Sequence, residues 1–279
     1  MYYIKGYHEV LNSIRKAIGL NDSTCDLLED KMRLAYYDFL KKVSVIESHA
    51  FTHDITLMDF DGLRAISPLY CNQKKHHFDY NSPLLTYRLN NRYFHHALCK
   101  INELNSEIYQ LANFIIKIIV LNQLNSHTNG TTEDSIGLSF MNFKDHFDIQ
   151  DFIELVFHQL IHMLLFVDHH STPHMITGTR DLMIETGLPY VLGGTKFPAY
   201  LAFHSYIVAV EVLFFRVQVT SLSHKTHYHG DTHRIVKVCD SFQTCMIKHF
   251  DLFSTRGQSF LNDSFIMLDT VYSKVLQHG

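Results

Sequence analysis

A mainly α fold, a multi-helix domain with a few short strands, is what this chain predicts, on three grounds. Only five prolines and twelve glycines interrupt its 279 residues, so long stretches are free of helix breakers. Apolar residues recur at helical spacing over several long runs. The hydrophobic share of 46%, with 21 Phe and 15 Tyr, is enough to fill a core.

Ser23 or Thr24 suits the cap of a helix from about Cys25 to Ser48. Its buried stripe is Leu27, Leu28, Met32, Ala35, Tyr36, Phe39, Leu40 and Val43. From Phe51 to Asn90 the chain mixes polar residues with Pro and Gly and reads as loops with short strands or turns. A second long helix fits Asn91 to Asn125, with Leu98, Ile101, Leu104, Ile108, Leu111, Ile115 and Ile118 inward. Ser126 to Asp134 is a loop, and Ile136 to Phe140 alternates like a short strand. A helix from about Ile149 to Val167 follows, then a long turn-rich connection, His169 to Thr195. Pro198 suits the first turn of a helix from Ala199 to about Val219. After a polar loop, His224 to Asp231, helices from about Thr232 to Phe253 and Ser259 to Leu276 close the chain, with Gly257 as a stop between them. The economical division is a helical region 1–134 and a second region 135–279, or one continuous domain.

A net charge of -4 with histidine neutral argues against a protein that grips nucleic-acid phosphates. Five scattered cysteines without a C-x-x-C read as reduced thiols. Met1 to Gly6 has no charged region followed by an apolar one, so no signal peptide is expected. Phe114 to Leu121 is interrupted by Lys117 and too short to span a bilayer. A cytoplasmic protein is the expectation, with no membrane and no nucleic acid among its partners. No Walker, dinucleotide-binding or nucleophile-elbow motif is present.

The chain carries 21 histidines beside 24 Lys and Arg. Two of them, His158 and His162, stand four residues apart in Phe157-His158-Gln159-Leu160-Ile161-His162, inside the apolar run Asp151 to Asp168. At that spacing two imidazoles project from one helix face and can share a metal ion, as in H-E-x-x-H. Gln159 holds the place of the Glu. An amide cannot take a proton from a metal-bound water, so the ligands remain while the peptidase base is gone. Glu154, one turn earlier on the same face, is placed to orient an imidazole. Packing alone is the bland alternative, but polar rings among Leu155, Val156, Ile161, Leu164 and Leu165 are costly to bury without a partner. For a third ligand His204 is preferred, an isolated histidine in the apolar stretch Phe197 to Tyr206. His169, His170 and His174 compete with it. The site is thereby expected between two core helices. Other histidines, such as His76-His77, His95-His96 and His224, His227 and His229, read as solvated surface.

Residues Ser135 to about Leu213 resemble the HExxH-type peptide β-hydroxylases that depend on iron(II) and 2-oxoglutarate and occur in peptide natural-product pathways. The resemblance runs through a short strand at Ile136 to Phe140, the helix with His158-Gln159-Leu160-Ile161-His162, the element Lys196-Phe197-Pro198, and Phe203-His204-Ser205. Thr255-Arg256-Gly257 is similar to the family's closing turn. Two departures stand out: Gln159 for the usual Glu, and Lys196 for the usual Arg.

The resemblance implies iron(II) held by His158, His162 and His204, with Gln159 beside it, and 2-oxoglutarate as co-substrate. It also implies hydroxylation of a β carbon in a peptide substrate, one that can carry a leader sequence. Three imidazoles leave three positions on an octahedral ion, enough for a chelating 2-oxoglutarate and dioxygen. The far carboxylate of 2-oxoglutarate calls for a cation. Lys196 is the family-guided choice, with Arg180 and Arg216 as alternatives. Two other readings stay open: a zinc-metallopeptidase-like protein without its base, acting as a binding or structural protein, and a metal-free helical interaction protein.

Overall fold

A computed structural model of the chain describes residues 1–20, 26–46, 52, 54–67, 83–121, 130–141, 144, 146–189, 193–221 and 225–278. The caps expected at Ser23 or Thr24, the pair His76-His77, His224, Cys25, Cys71 and the first part of the expected loop, 126–129, lie outside the described residues. The protein is mainly α, with 65% of the described residues helical and a few short strands. It divides into two compact units. The first joins Met1–Ile14 to Val167–Gly279, and the second is Arg15–Phe166, so position 134 falls inside the second.

In the second unit, the first expected helix starts late. Asp26 Oδ1 accepts the Leu27 N–H, and Glu29 Oε1 accepts that of Asp26. These local bonds give the backbone an alternative to helix. Labelling helices and strands in chain order, α1 (Tyr2–Lys5) and α2 (Tyr7–Ala17) precede α3, which spans Asp30–Val43. It buries Met32, Tyr36, Phe39 and Leu40, whereas Leu28 is 59% exposed.

The second expected helix is in fact two helices and a strand. After β1 (Thr56–Met58) and α4 (Phe60–Ile66) come α5 (Pro83–Leu104) and α6 (Ser106–Ile115). Between the last two, Asn105 is extended, and its side chain accepts the Ile108 N–H at 3.0 Å, a cap that ends one helix and starts the next. Leu104, read as inward, is 44% exposed at this break. The β-branched run that follows leaves the helix as β2 (Ile118–Leu121), buried at all four positions. It lies between β1 and β3 (Leu138–Met141) in a three-stranded parallel sheet, with Leu57 opposite Ile119 and Ile119 opposite Ser139. A parallel strand covered on both faces has no alternation, so its sequence looks like a buried helix.

In the first unit, α8 (Ala199–Gln218), α9 (Thr232–Lys248) and α10 (Thr255–His278) build the core. Phe203 of α8 stands 5.3 Å from the Phe253 ring and 6.3 Å from Phe260. The long connection contains the hairpin of β4 (Met183–Glu185) and β5 (Lys196–Pro198). The loop before α9 holds a second, very short hairpin, β6 (Lys225–Thr226) with β7 (Gly230–Asp231). Short α1 was not anticipated: Glu211 Oε2 and Oε1 accept the N–H groups of Tyr3 and Ile4 at 2.9 and 3.0 Å. A carboxylate satisfies orphan donors at a helix start, which local propensity alone would not reveal.

Gly257 is no stop but part of α10. A Cβ there would lie 2.1 Å from the backbone oxygen of His174. The glycine is needed because two backbones approach each other, not because a helix ends. Helix α7 (Ile149–Ser171) and α8 are long and apolar enough to cross a membrane, but 78% of each apolar window is buried in the structure, as in core helices of water-soluble proteins.

Lys117, buried just before β2, donates from Nζ to the Asn113 carbonyl at 2.7 Å. Burial, assisted by the nearby Arg33 charge, pushes its ammonium down from 10.5 to about 8. The folded state thus gives up this proton before the unfolded state does, and burying the charge costs stability below pH 8. The cost is on the order of 2–3 kcal/mol and fades as pH rises toward the unfolded value. Lys117→Met is expected to raise the melting temperature at pH 7 by several degrees, with the gain shrinking between pH 8 and 10.5. Gly257→Ala, which in an open helix would stabilise by about 1 kcal/mol, is expected here to destabilise by about 2–4 kcal/mol; urea unfolding gives the sign.

Candidate metal centre

Asp148 sets the start of α7. Its Oδ1 accepts the N–H of Gln150 at 2.8 Å and of Asp151 at 3.1 Å, and its own N–H donates to Asp151 Oδ2. From Asp151 to Asp168 every residue is buried except His158 and His162, which are half-buried. The rings of these two stand 4.8 Å apart, inclined at 60°. Two imidazoles sharing one ion at about 2.1 Å have ring centres about 4.5–6.5 Å apart, according to the angle between them. The pair therefore fits half of a metal site within the second unit. No further His, Cys, Asp or Glu among the described residues of that unit forms with them a set whose ligating atoms all lie within 4.8 Å of one another.

Gln159 turns away from this half-exposed edge and is fully buried. Neither its amide oxygen nor its amide nitrogen has a hydrogen-bond partner among the described residues. Glu154 and Asp151, on the same helix, are fully buried as well.

His204 lies in the first unit, on α8, 2% exposed. Tyr200, one turn before it, has its ring 4.3 Å away, and His174 has its ring at 6.3 Å. His169 stands 5.1 Å from His174 and 5.3 Å from Tyr200. Two of the competitors weighed from sequence are thus grouped with His204 itself, while His158 and His162 belong to the other unit.

The cation candidates separate clearly. Lys196 is exposed on β5 opposite Glu185. The Glu185 carboxyl is held below its ordinary value by the Thr195 hydroxyl and the Gly187 N–H, with Lys196 adding a smaller share. Arg180 is half-buried, its guanidinium carbon 4.0 Å from the centre of the Tyr200 ring, a cation–π placement that preorganises a planar fork. Arg216 is fully buried and donates to the hydroxyls of Thr226 and Thr232 at 3.1 and 3.5 Å, fastening α8 to β6 and to the start of α9. Its place is structural.

A network that sequence reasoning missed surrounds Asp168. His174 Nε2 is 2.7 Å from Asp168 Oδ2. Arg256 donates from Nε to Oδ2 at 3.0 Å and from Nη2 to Oδ1 at 2.6 Å, and also reaches Glu9 at 2.8 Å and Ser13 at 3.1 Å. Burial works against charge on Asp168, but the hydrogen bonds from His174 and Arg256 outweigh it and hold the carboxyl well below the usual range. Asp168-His169-His170 at the end of the apolar run was the available signal. His95, His96 and His227 are exposed, as surface histidines.

Comparison of the chain with protein-family models and with curated proteins gives no match. A buried amide without partners costs about 1–3 kcal/mol, so Gln159→Met is expected to raise the stability of the metal-free protein by about 1–2 kcal/mol. A fall in the denaturant midpoint would show instead that the amide is satisfied in solution.

Proposed function

We propose that the protein is a non-haem iron(II)- and 2-oxoglutarate-dependent oxygenase that hydroxylates a side-chain carbon, the β carbon of a residue in a peptide. The observation that carries this reading is the His158/His162 pair, the one half-buried edge of a helix otherwise sealed from Asp151 to Asp168. Iron(II), when bound, supplies oxidation of a C–H bond by dioxygen, with 2-oxoglutarate as the accompanying reductant.

The chain's own groups have defined parts. His158 and His162 hold the ion as neutral imidazoles. Gln159 brings neither a charge nor a base, so a route through deprotonated water is disfavoured and oxidative chemistry is left unopposed. Of the cations, Arg180 suits the far carboxylate of 2-oxoglutarate better than Lys196, because its fork is stacked on Tyr200 while Lys196 faces solvent. A cytoplasmic setting goes with Cys99, Cys239 and Cys245 as free thiols.

Anaerobic addition of iron(II) and then 2-oxoglutarate to the untagged chain tests the reading. A weak metal-to-ligand charge-transfer band is expected, lost in His162→Ala and lowered in intensity at equal 2-oxoglutarate by Arg180→Ala but not by Lys196→Ala. His204→Ala decides whether His204 supplies the third donor. Stoichiometric zinc binding through His158 and His162 with no response to 2-oxoglutarate would replace the proposal by a zinc-binding protein that has lost its base.

A further inference from the structure

We propose that Lys117 is a site of reversible carbamate formation: its buried side-chain amine takes up carbon dioxide, and Arg33 pairs with the carboxylate so formed. Both residues belong to the second unit. Neither iron, 2-oxoglutarate nor the histidines of α7 take part, and the oxygenase reading is not needed.

The backbone fixes where this amine stands. Lys117 lies between the end of α6 and the start of β2. Its N–H donates to the Gly137 carbonyl and its carbonyl accepts the Thr56 N–H, each at 2.8 Å. The residue is thereby pinned at the entry of the parallel sheet, only 2% exposed. Its Nζ reaches back to the carbonyl of Asn113, in the last turn of α6, at 2.7 Å. A helix end leaves such carbonyls without a partner along the helix, and a lysine is a common donor to them. That role accounts for the hydrogen bond. It does not account for a second cation acting on the same amine.

Helix α3 supplies that cation. Arg33 and Tyr37 stand one turn apart on it, and the Lys117 Nζ lies 5.6 Å from the centre of the Tyr37 ring and 5.9 Å from that of Phe114. After burial itself, the Arg33 charge is the largest influence against an ammonium at Lys117. Asp54 acts the other way, but it is exposed and weighs less. The Tyr37 hydroxyl donates to the Thr52 carbonyl at 2.8 Å, and burial pushes its titration up, so no phenolate holds the ammonium in place. The ion pair of Arg33 with Asp30 is long, 3.8 Å, and Asp30 is 86% exposed. A pair of that kind is weak, so little is lost when the guanidinium turns to a new anion.

Carbamate formation needs the neutral amine, which burial and Arg33 make available at Lys117 near pH 8. The nitrogen lone pair forms a bond to the carbon of carbon dioxide, and one C–O π pair moves onto oxygen. The nitrogen then releases one proton to solvent. Nothing is oxidised or reduced. The product keeps one N–H, enough to go on serving the Asn113 carbonyl. Charge at this position changes from positive to negative, so Arg33 turns from an opponent into a partner. Carbon dioxide, small and uncharged, suits an amine that larger electrophiles do not reach.

The full, untagged chain can be equilibrated at about pH 7.5 with isotope-labelled carbon dioxide, trapped with a trialkyloxonium salt and read by peptide mass spectrometry. At that pH roughly a quarter of Lys117 amines are neutral, against roughly one in a thousand for an ordinary lysine. The labelled, alkylated carboxyl is therefore expected on Lys117 at least about a hundred-fold above the exposed Lys41 and Lys100. Arg33→Ala should lower it several-fold and Arg33→Lys should keep most of it, with far-UV circular dichroism confirming the fold. Because the adduct forms in the folded chain, carbon dioxide should raise the melting temperature relative to nitrogen at equal pH, and should not do so in Lys117→Met. No labelled carboxyl on Lys117, or one no more abundant than on Lys41 and Lys100, overturns the proposal. So does a Lys117 adduct that Arg33→Ala leaves unchanged.

Discussion

Asp168 receives the guanidinium of Arg256 in two-pronged fashion and the imidazole of His174 on the same buried carboxylate. Taking such charges out of water is costly, and the cost is offset only when nearly every lone pair is engaged. Arg256 meets that condition from its side too, with Glu9 and Ser13 filling its remaining reach. Residues far apart in sequence, from α2, the end of α7, the connection after it and the start of α10, are thereby fixed to one point. The rings of Phe203 and Phe260 pack against His174, and Phe260 also faces the Arg256 guanidinium.

Helix α7 solves a different problem. A helix sealed on all sides has no polar face, so each polar residue along it needs its own reason to be there. Asp148 and Asp151 fix its beginning, and Asp168 anchors its end. His158 and His162 are left at the one edge where water reaches, and Gln159 is enclosed one position away. That contrast gives the motif its meaning: two donors at an accessible edge and an amide in the place of a base.

The long helices were legible in the sequence because their period is strong, and α7 and α8 begin where the pattern puts them. Errors arose where a local interaction outranks periodicity. Asn105 caps in the middle of a helical pattern, and Ile118–Leu121 is apolar without alternation. Gly257 carries no signature of a neighbouring backbone, because that neighbour is some eighty positions away. The same applies to the candidate sites. His158 and His162 could be paired from spacing alone, since one helix carries both. The link from Asp168 to His174 and Arg256 spans 88 positions at its widest, and nothing in the local sequence joins them. Lys196 was the family-guided cation and Arg180 an alternative, and nothing in the local sequence signals that Arg180 stacks on the ring of Tyr200.

The first unit is discontinuous, drawing Met1–Ile14 together with Val167–Gly279. During synthesis its opening segment leaves the ribosome first and then waits while more than half the chain is made. The carboxylate that receives Tyr3 and Ile4 belongs to Glu211, and the arginine that receives Glu9 is Arg256. Contacts of such sequence separation form slowly, because long loops must close before they are rewarded. Val10, Leu11 and Ile14 form the buried face of α2, the helix that carries Glu9. The parallel sheet, whose β1 and β2 are joined through Thr56 and Ile118, can close much earlier. The first unit thus closes only when Tyr3, Ile4 and Glu9 meet partners more than two hundred positions away, a far longer loop than the one the sheet closes.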